Sequence, residues 1–307
     1  MSGSPEVYGV ADLALLTQSA GPLKDLHPPA RLAVFGDPVS HSASPPMHNA
    51  ALKARGHDLQ YVRIRVTQDE LPEALKNLAG AGFLGASLTI PHKQAALPLM
   101  NEVSPAAKLM GAVNTVRLAE GKLQGHNTDG PGLSAAIREE FGISLKDLRV
   151  LILGGAGGAG RAITVQCALE GCTSITIANR TPGKGALLAT DIREAIGTDI
   201  QSIALTPEAL GKALPSCDLV INATPLGMKA DDTSPLPDGL LSSKHLVYDT
   251  IYSGGETPLL KQAHLSGARS SGGFSMLLHQ GALQNNLWFN EPAPLEVMRQ
   301  SLTALRA

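Results

Sequence analysis

From residue 31 onward, short apolar runs alternate with amphipathic stretches, and this alternation carries most of the fold. Leu32-Ala33-Val34-Phe35 is a continuous apolar run of strand length. A helix is expected over 45–54, with Ser44 at its N-cap and Pro45 in the first turn. Residues 61–66 alternate apolar side chains with arginines, as a strand with one wet face does. Over 69–79, Leu71, Leu75 and Leu78 recur at helical spacing. Residues 83–90 are strand-like until Pro91 turns the chain into another helix. The pattern restarts with a bridging helix over 130–140 and an apolar strand over 148–153. A glycine cluster, a helix through Leu169 and strands over 174–178, 218–222 and 246–250 follow, and the chain is expected to be helical from Phe274. Strands alternating with helices of about ten residues predict βαβ units and largely parallel sheets.

Length agrees with this: 307 residues suggest two domains, and the restart places the join near residue 130. The first 30 residues hold an apolar patch at 13–16 and a turn-rich stretch over 21–29, read as an extension laid against the first domain. With 43% hydrophobic and 17% charged residues the chain can bury a core, and with only 10 Phe, Tyr and Trp that core is mainly aliphatic. A formal charge of -2 offers no basic excess for a nucleic-acid backbone. Cys167, Cys172 and Cys217 form no C-x-x-C pair, which speaks against a disulfide framework or structural zinc. No Lys or Arg precedes Lys24, so the positive region of a signal peptide is missing. The longest uncharged apolar run, 150–160, is too short for the roughly 20 residues of a membrane span. A soluble, cytoplasmic protein is expected.

Gly155, Gly157 and Gly160 fit G-x-G-x-x-G, between an apolar strand and a helix, where the motif has a mechanism. One glycine permits the tight turn, one lets amides approach a pyrophosphate and one lets helix pack on strand. The end of the next strand reports the cofactor. An NAD protein places a carboxylate there for the ribose hydroxyl; here stand Asn179-Arg180-Thr181, with Lys184 behind. Two cations and a hydroxyl suit a 2′-phosphate, which predicts NADP.

In the first half, polar clusters fall where strands end. Ser42-Ala43-Ser44-Pro45 sets two hydroxyls at a helix start, a cradle for a small carboxylate or simply a cap. Thr89-Ile90-Pro91-His92-Lys93 delivers a lysine after a strand. Asn114-Thr115 and Asn127-Thr128-Asp129-Gly130 add amides and a carboxylate near the join, each also explicable as turn chemistry.

These clusters, in order, resemble the shikimate dehydrogenase family. The likeness continues through Gly111-Ala112-Val113-Asn114-Thr115, the glycine loop, Asn179-Arg180-Thr181, Ile221-Asn222-Ala223-Thr224-Pro225, Tyr248-Asp249-Thr250-Ile251-Tyr252 and residues 273–280, covering about 31–305. It implies two α/β domains: a substrate-binding domain with a mostly parallel sheet over 1–129 plus about 276–307, and a Rossmann-type NADP-binding domain over 130–275. It implies that Ser42 and Ser44 hold the substrate carboxylate, and that Thr89, Asn114 and Gln280 bond ring hydroxyls with Tyr252 nearby. Lys93 and Asp129 would form the catalytic pair. The loop from Gly155 through Ala156, Gly157 and Gly158 to Ala159 would cradle the pyrophosphate. Asn179, Arg180, Thr181 and Lys184 would meet the ribose phosphate, and Thr250 and Gly273 the nicotinamide end. Gly154 makes one glycine more than the usual loop, leaving its register open by one residue, and residues 1–30 lie outside the pattern.

The reaction implied is the reversible NADPH-dependent reduction of 3-dehydroshikimate to shikimate, a step of aromatic amino acid biosynthesis, by a monomer or homodimer. Lys93 as ammonium is a suitable acid for the alkoxide that forms; His92, its neighbour, is the rival. No metal is expected, since the nine histidines show no ligand spacing. The alternatives are a quinate/shikimate dehydrogenase with relaxed substrate or NAD use, and a non-catalytic NADP-binding sensor, which would have lost the lysine or aspartate.

Overall fold

The apolar run at 32–35 has no polar alternation because both of its faces are covered. In the structure, a computed structural model that describes residues 7–17, 27–229, 231–252 and 255–305, it lies inside a seven-stranded sheet. The strands are β1 (Val7–Tyr8), β2 (Ala30–Gly36), β3 (Gln60–Arg65), β4 (Gly85–Leu88), β5 (Glu102–Val103), β6 (Thr115–Ala119) and β7 (Lys122–His126). Their order is β1-β3-β2-β4-β6-β7-β5. Leu32 and Val34 pack on one face with Leu52, Tyr61 and Trp288. Ala33 and Phe35 pack on the other with Leu13, Leu16, Leu71, Leu75 and Leu78. A strand buried on both faces reads as a continuous hydrophobic run.

β1 through β4 pair in parallel, whereas β6 is antiparallel to both β4 and β7. The β6–β7 hairpin turns on Glu120 and Gly121, with φ of 52° and 73°. Two positive φ values match a two-residue hairpin to the strands' twist, a geometry usually announced by Asn-Gly or Asp-Gly. Glu-Gly is a weaker signal, and the sequence pattern alone does not reveal this hairpin. The apolar patch at 13–16 is a short helix, Leu13–Leu16, against the helix Leu71–Gly80; residues 21–26 of the turn-rich stretch lie outside the described residues.

Three local expectations are corrected. The strand expected over 83–90 is only β4, because beyond Leu88 the chain turns toward the helix His92–Ala95. Ser44 is not an N-cap: the helix Ser44–Ala54 begins on it, and Ala43 is the cap residue with no side-chain bond. For a cap at Ser44 the second helical position is Pro46, which has no N–H to donate, and the Ser44 hydroxyl bonds the Tyr61 phenol instead. Arg63 is only partly exposed; its guanidinium donates to the Ser42 carbonyl through Nε at 3.2 Å and Nη2 at 2.7 Å.

The chain divides into two units, Met1–Thr128 with Gln280–Ala307, and Asp129–His279; the sequence placed the boundaries at 129/130 and 275/276. The second unit carries β8 (Arg149–Leu153), β9 (Ser174–Asn179), β10 (Gln201–Ala204), β11 (Leu219–Asn222), β12 (Leu246–Asp249) and β13 (Arg269–Gly272). All pair in parallel, in the order β10-β9-β8-β11-β12-β13. The order reverses between β8 and β11, so a crevice opens at their C-terminal ends, the usual ligand position in such sheets. The C-terminal stretch forms two helices, Phe274–Phe289 and Leu295–Ala304, broken where Asn290 takes a φ of 54°. Among the described residues no helix is long and apolar enough to cross a membrane.

Candidate active site

In the first unit, strand direction gathers the polar clusters. β6 runs against β4, so the start of β6 lies beside the ends of β2, β4 and β7. The Thr89 N–H donates to the Phe35 carbonyl at 3.0 Å, and the Leu88 N–H to that of Asn114 at 2.8 Å. The Val113 N–H donates to the Lys93 carbonyl at 2.7 Å. Thr89, Lys93 and Asn114 are thereby tied to one sheet edge. At Gly36 a Cβ would stand 2.4 Å from Thr89 Cγ2, so only glycine lets β2 end there. The buried Asn114 amide is locked by the Thr128 N–H at 2.8 Å and the Thr115 hydroxyl at 2.8 Å on its oxygen, while its nitrogen donates to Thr128 Oγ1 at 3.0 Å. Asn127 holds the other side of the loop through the Ala112 carbonyl, at 3.0 Å.

Ser42 and Ser44 stand at the start of their helix, with the Ser42 hydroxyl oxygen accepting the Ser44 N–H at 3.3 Å. Ser44 does not cap its helix; it is buried, and its hydroxyl bonds the Tyr61 phenol. Gln280, buried on the helix Phe274–Phe289, belongs to the same unit. Asp129 and Tyr252 belong to the second unit: Asp129 is the buried first residue of the helix Asp129–Phe141, and Tyr252 is exposed.

His92 loses its claim to the proton. Its ring is 0% exposed, Nε2 donates to the Val66 carbonyl at 2.7 Å, and burial pushes its pKa down. A sealed, neutral imidazole that spends its N–H on a backbone carbonyl is a core histidine. Lys93, one residue on, is only partly buried.

In the second unit the glycine loop has a definite register. Gly154 turns the chain with a φ of 78° as its N–H reaches the Ala178 carbonyl at 2.7 Å. A Cβ at Gly155 would meet Ile177 at 2.6 Å, and one at Gly160 would meet the Gly154 oxygen at 2.1 Å. Gly157 precedes the helix Gly158–Leu169. At Gly158 a Cβ would meet nothing, so that flank is open. The extra glycine, Gly154, makes the turn, and the motif itself reads through 155, 157 and 160. Asn179 is buried beneath the loop, its Oδ1 accepting the Ala156 N–H at 3.0 Å. Arg180, Thr181 and Lys184 are exposed beyond it. Thr250 and Gly273 are in close contact: a Cβ at Gly273 would lie 2.1 Å from the Thr250 oxygen.

Two supporting groups went unassigned in the sequence. Arg63, whose alternating position suggested solvent, holds the serine loop. Asp249 lay inside a quoted motif without a role. Its carboxylate accepts from Thr257 Oγ1 at 2.6 Å, Asn222 Nδ2 at 3.0 Å and the Ile251 N–H at 3.2 Å. It thus joins the ends of β11 and β12, although burial pushes its pKa up. Among the described residues no group of His, Cys, Asp or Glu is arranged to hold a metal.

Comparison with known proteins agrees with both halves. Residues 34–116 match the shikimate dehydrogenase substrate binding domain, 135–227 the shikimate / quinate 5-dehydrogenase family, and 273–303 the shikimate 5'-dehydrogenase C-terminal domain. The shikimate dehydrogenase (NADP(+)) of Methanopyrus kandleri is 40% identical over 274 residues, 88% of this chain and 94% of that one. The shikimate 5-dehydrogenase of Thermus thermophilus, solved with NADP(H) and shikimate, superposes with a TM-score of 0.80 at 36% identity, covering 90% of this chain and 99% of that one. A quinate dehydrogenase from Corynebacterium glutamicum, solved with NAD, gives 0.81 at 30% identity, covering 89% and 98%. With the hydroxyls, amides and lysine at one sheet edge and the glycine loop at another, the chain belongs to the shikimate dehydrogenase family.

Proposed function

We propose that the protein catalyses the reversible NADPH-dependent reduction of 3-dehydroshikimate to shikimate. The reading is carried by the match to NADP-dependent shikimate dehydrogenases along nearly the whole chain. The second unit fits a dinucleotide: the loop is closed to any Cβ at Gly155 and Gly160 yet open at Gly158, where the helix N-terminus presents its amides. On this reading the loop from Gly155 to Ala159 holds the pyrophosphate. Arg180, Thr181 and Lys184 take the 2′-phosphate, with Asn179 beneath the loop, and Thr250 and Gly273 border the nicotinamide. NADPH, when bound, supplies a hydride.

Ser42 and Ser44 hold the substrate carboxylate, Thr89, Asn114 and Gln280 orient the ring hydroxyls, and Tyr252 lies nearby. The Lys93 ammonium gives its proton to the ketone oxygen as negative charge develops there, and neutral lysine recovers it in the reverse direction. The Asp129 carboxylate orients the ammonium and a neighbouring substrate hydroxyl.

Steady-state assays with shikimate and quinate, each with NADP and NAD, test the assignment; shikimate with NADP should give the highest kcat/KM. Arg180→Ala should raise the KM for NADP roughly tenfold to a hundredfold, the value of a hydrogen bond to a charged group, and leave that for NAD nearly unchanged. Preference for quinate with NAD, or equal losses with both cofactors, would overturn it.

A further inference from the structure

We propose that Tyr61, Ser87 and Gln284 form a directional hydrogen-bond line that positions Gln280 and decides which end of its amide is offered to the substrate. The proposal rests on the reading of Gln280 as a substrate contact. The Tyr61 phenol donates to Ser87 Oγ at 2.8 Å, the Ser87 hydroxyl to Gln284 Oε1 at 2.8 Å, and Gln284 Nε2 to Gln280 Oε1 at 2.9 Å. All four side chains are buried and belong to the first unit. The line starts on β3, crosses β4 and ends on the helix Phe274–Phe289, so it also ties the Gln280–Gln284 turn of that helix to the sheet.

The direction of the line follows from the chemistry of its members. A phenol is a better donor and a poorer acceptor than an aliphatic hydroxyl, so Tyr61 gives its proton to Ser87. Ser87 has one proton and spends it on Gln284, which must therefore turn its carbonyl to Ser87 and its amide nitrogen to Gln280. Gln280 then turns its carbonyl inward and its nitrogen away, as a donor for a substrate oxygen. A buried amide left without this partner loses a bond that fixes its orientation. Tyr61 is itself held in place, because the Asn49 side chain bonds both its backbone N–H and its carbonyl, at 2.7 and 3.0 Å. These are positioning residues: none needs to touch substrate.

A double-mutant cycle on shikimate kinetics tests the line, using Gln284→Met and Gln280→Ala. Each single variant should raise the KM for shikimate roughly twofold to tenfold, the value of one neutral hydrogen bond, with kcat and the KM for NADP much less affected. In the Gln280→Ala background, Gln284→Met should add almost nothing, because its effect runs through Gln280. Ser87→Ala, which removes a single atom, repeats the test if Gln284→Met fails to fold. Multiplying effects, or an unchanged KM in Gln284→Met and Ser87→Ala beside a raised one in Gln280→Ala, would overturn the line alone. An unchanged KM in Gln280→Ala would overturn the substrate reading of Gln280 and the proposal with it.

Discussion

Lys93 and His92 are neighbours with opposite surroundings. His92 is sealed against Val66, whereas the Lys93 backbone is pinned by Val113 at the sheet edge that also holds the Thr89 and Asn114 backbones, and Lys93 is only partly buried. If Lys93 supplies the proton in the transition state, Lys93→Met should lower turnover by roughly 10²–10⁴ with small changes in the Michaelis constants. The methionine keeps the aliphatic stem, so stability should hold. Near-normal turnover in the folded variant would remove Lys93 from the mechanism. His48 supplies a pH prediction at the same scale. It is 0% exposed, stacked on Tyr61 at 4.4 Å, and burial pushes its pKa down to about 3. With a folded pKa below the unfolded one, the native state binds fewer protons, so stability is full above the unfolded value and is lost as pH falls toward 3. The slope from this residue reaches about 1.4 kcal/mol per pH unit. Urea unfolding between pH 4.5 and 7 should show a flatter dependence in His48→Leu; parallel curves would mean that His48 does not titrate this way.

At the scale of elements, the strand–loop–helix at 149–169 depends on which glycine is asked to change. Gly160→Ala would set a Cβ 2.1 Å from a backbone oxygen that cannot move without opening the loop. A loss of about 1–3 kcal/mol is expected from such overpacking, read as a lower Tm, together with weaker NADP binding. Gly158→Ala meets nothing and should leave the Tm unchanged or raised. Equal Tm values for the two variants would show that the loop has the other register. The serine loop follows a related logic: Pro46 removes one of the two N–H groups that a cap at Ser44 would serve, and the Ser44 hydroxyl turns to the Tyr61 phenol.

At the scale of the whole molecule, the second unit is one contiguous stretch with its own core, built from Leu151, Leu153, Val220, Val247 and Leu259. The first is completed only by residues after 279, since Trp288 packs with Leu32, Val34, Leu52 and Tyr61, and the helix Leu295–Ala304 packs on Ser44–Ala54. A fragment of residues 129–279 should therefore melt cooperatively by circular dichroism and bind NADP. Residues 1–128 alone should melt without a clear transition, for want of the C-terminal packing. A cooperative melt of 1–128, or an unfolded 129–279, would contradict this division.

Local pattern was enough to establish the βαβ alternation, the glycine loop, the polar clusters and the absence of a carboxylate at 179–184, because apolar period, glycine spacing and charge are properties of neighbouring residues. The hairpin at 115–126 escaped because its turn is Glu-Gly, and the role of Arg63 because its partner, Ser42, lies 21 positions away. Whether Ser44 caps, which of His92 and Lys93 is sealed, and how Tyr61, Ser87 and Gln284 line up were decided only in three dimensions. Ser87 and Gln284 are 197 positions apart. Burial and the direction of a hydrogen bond belong to the assembled sheet and helices, and no run of sequence contains them.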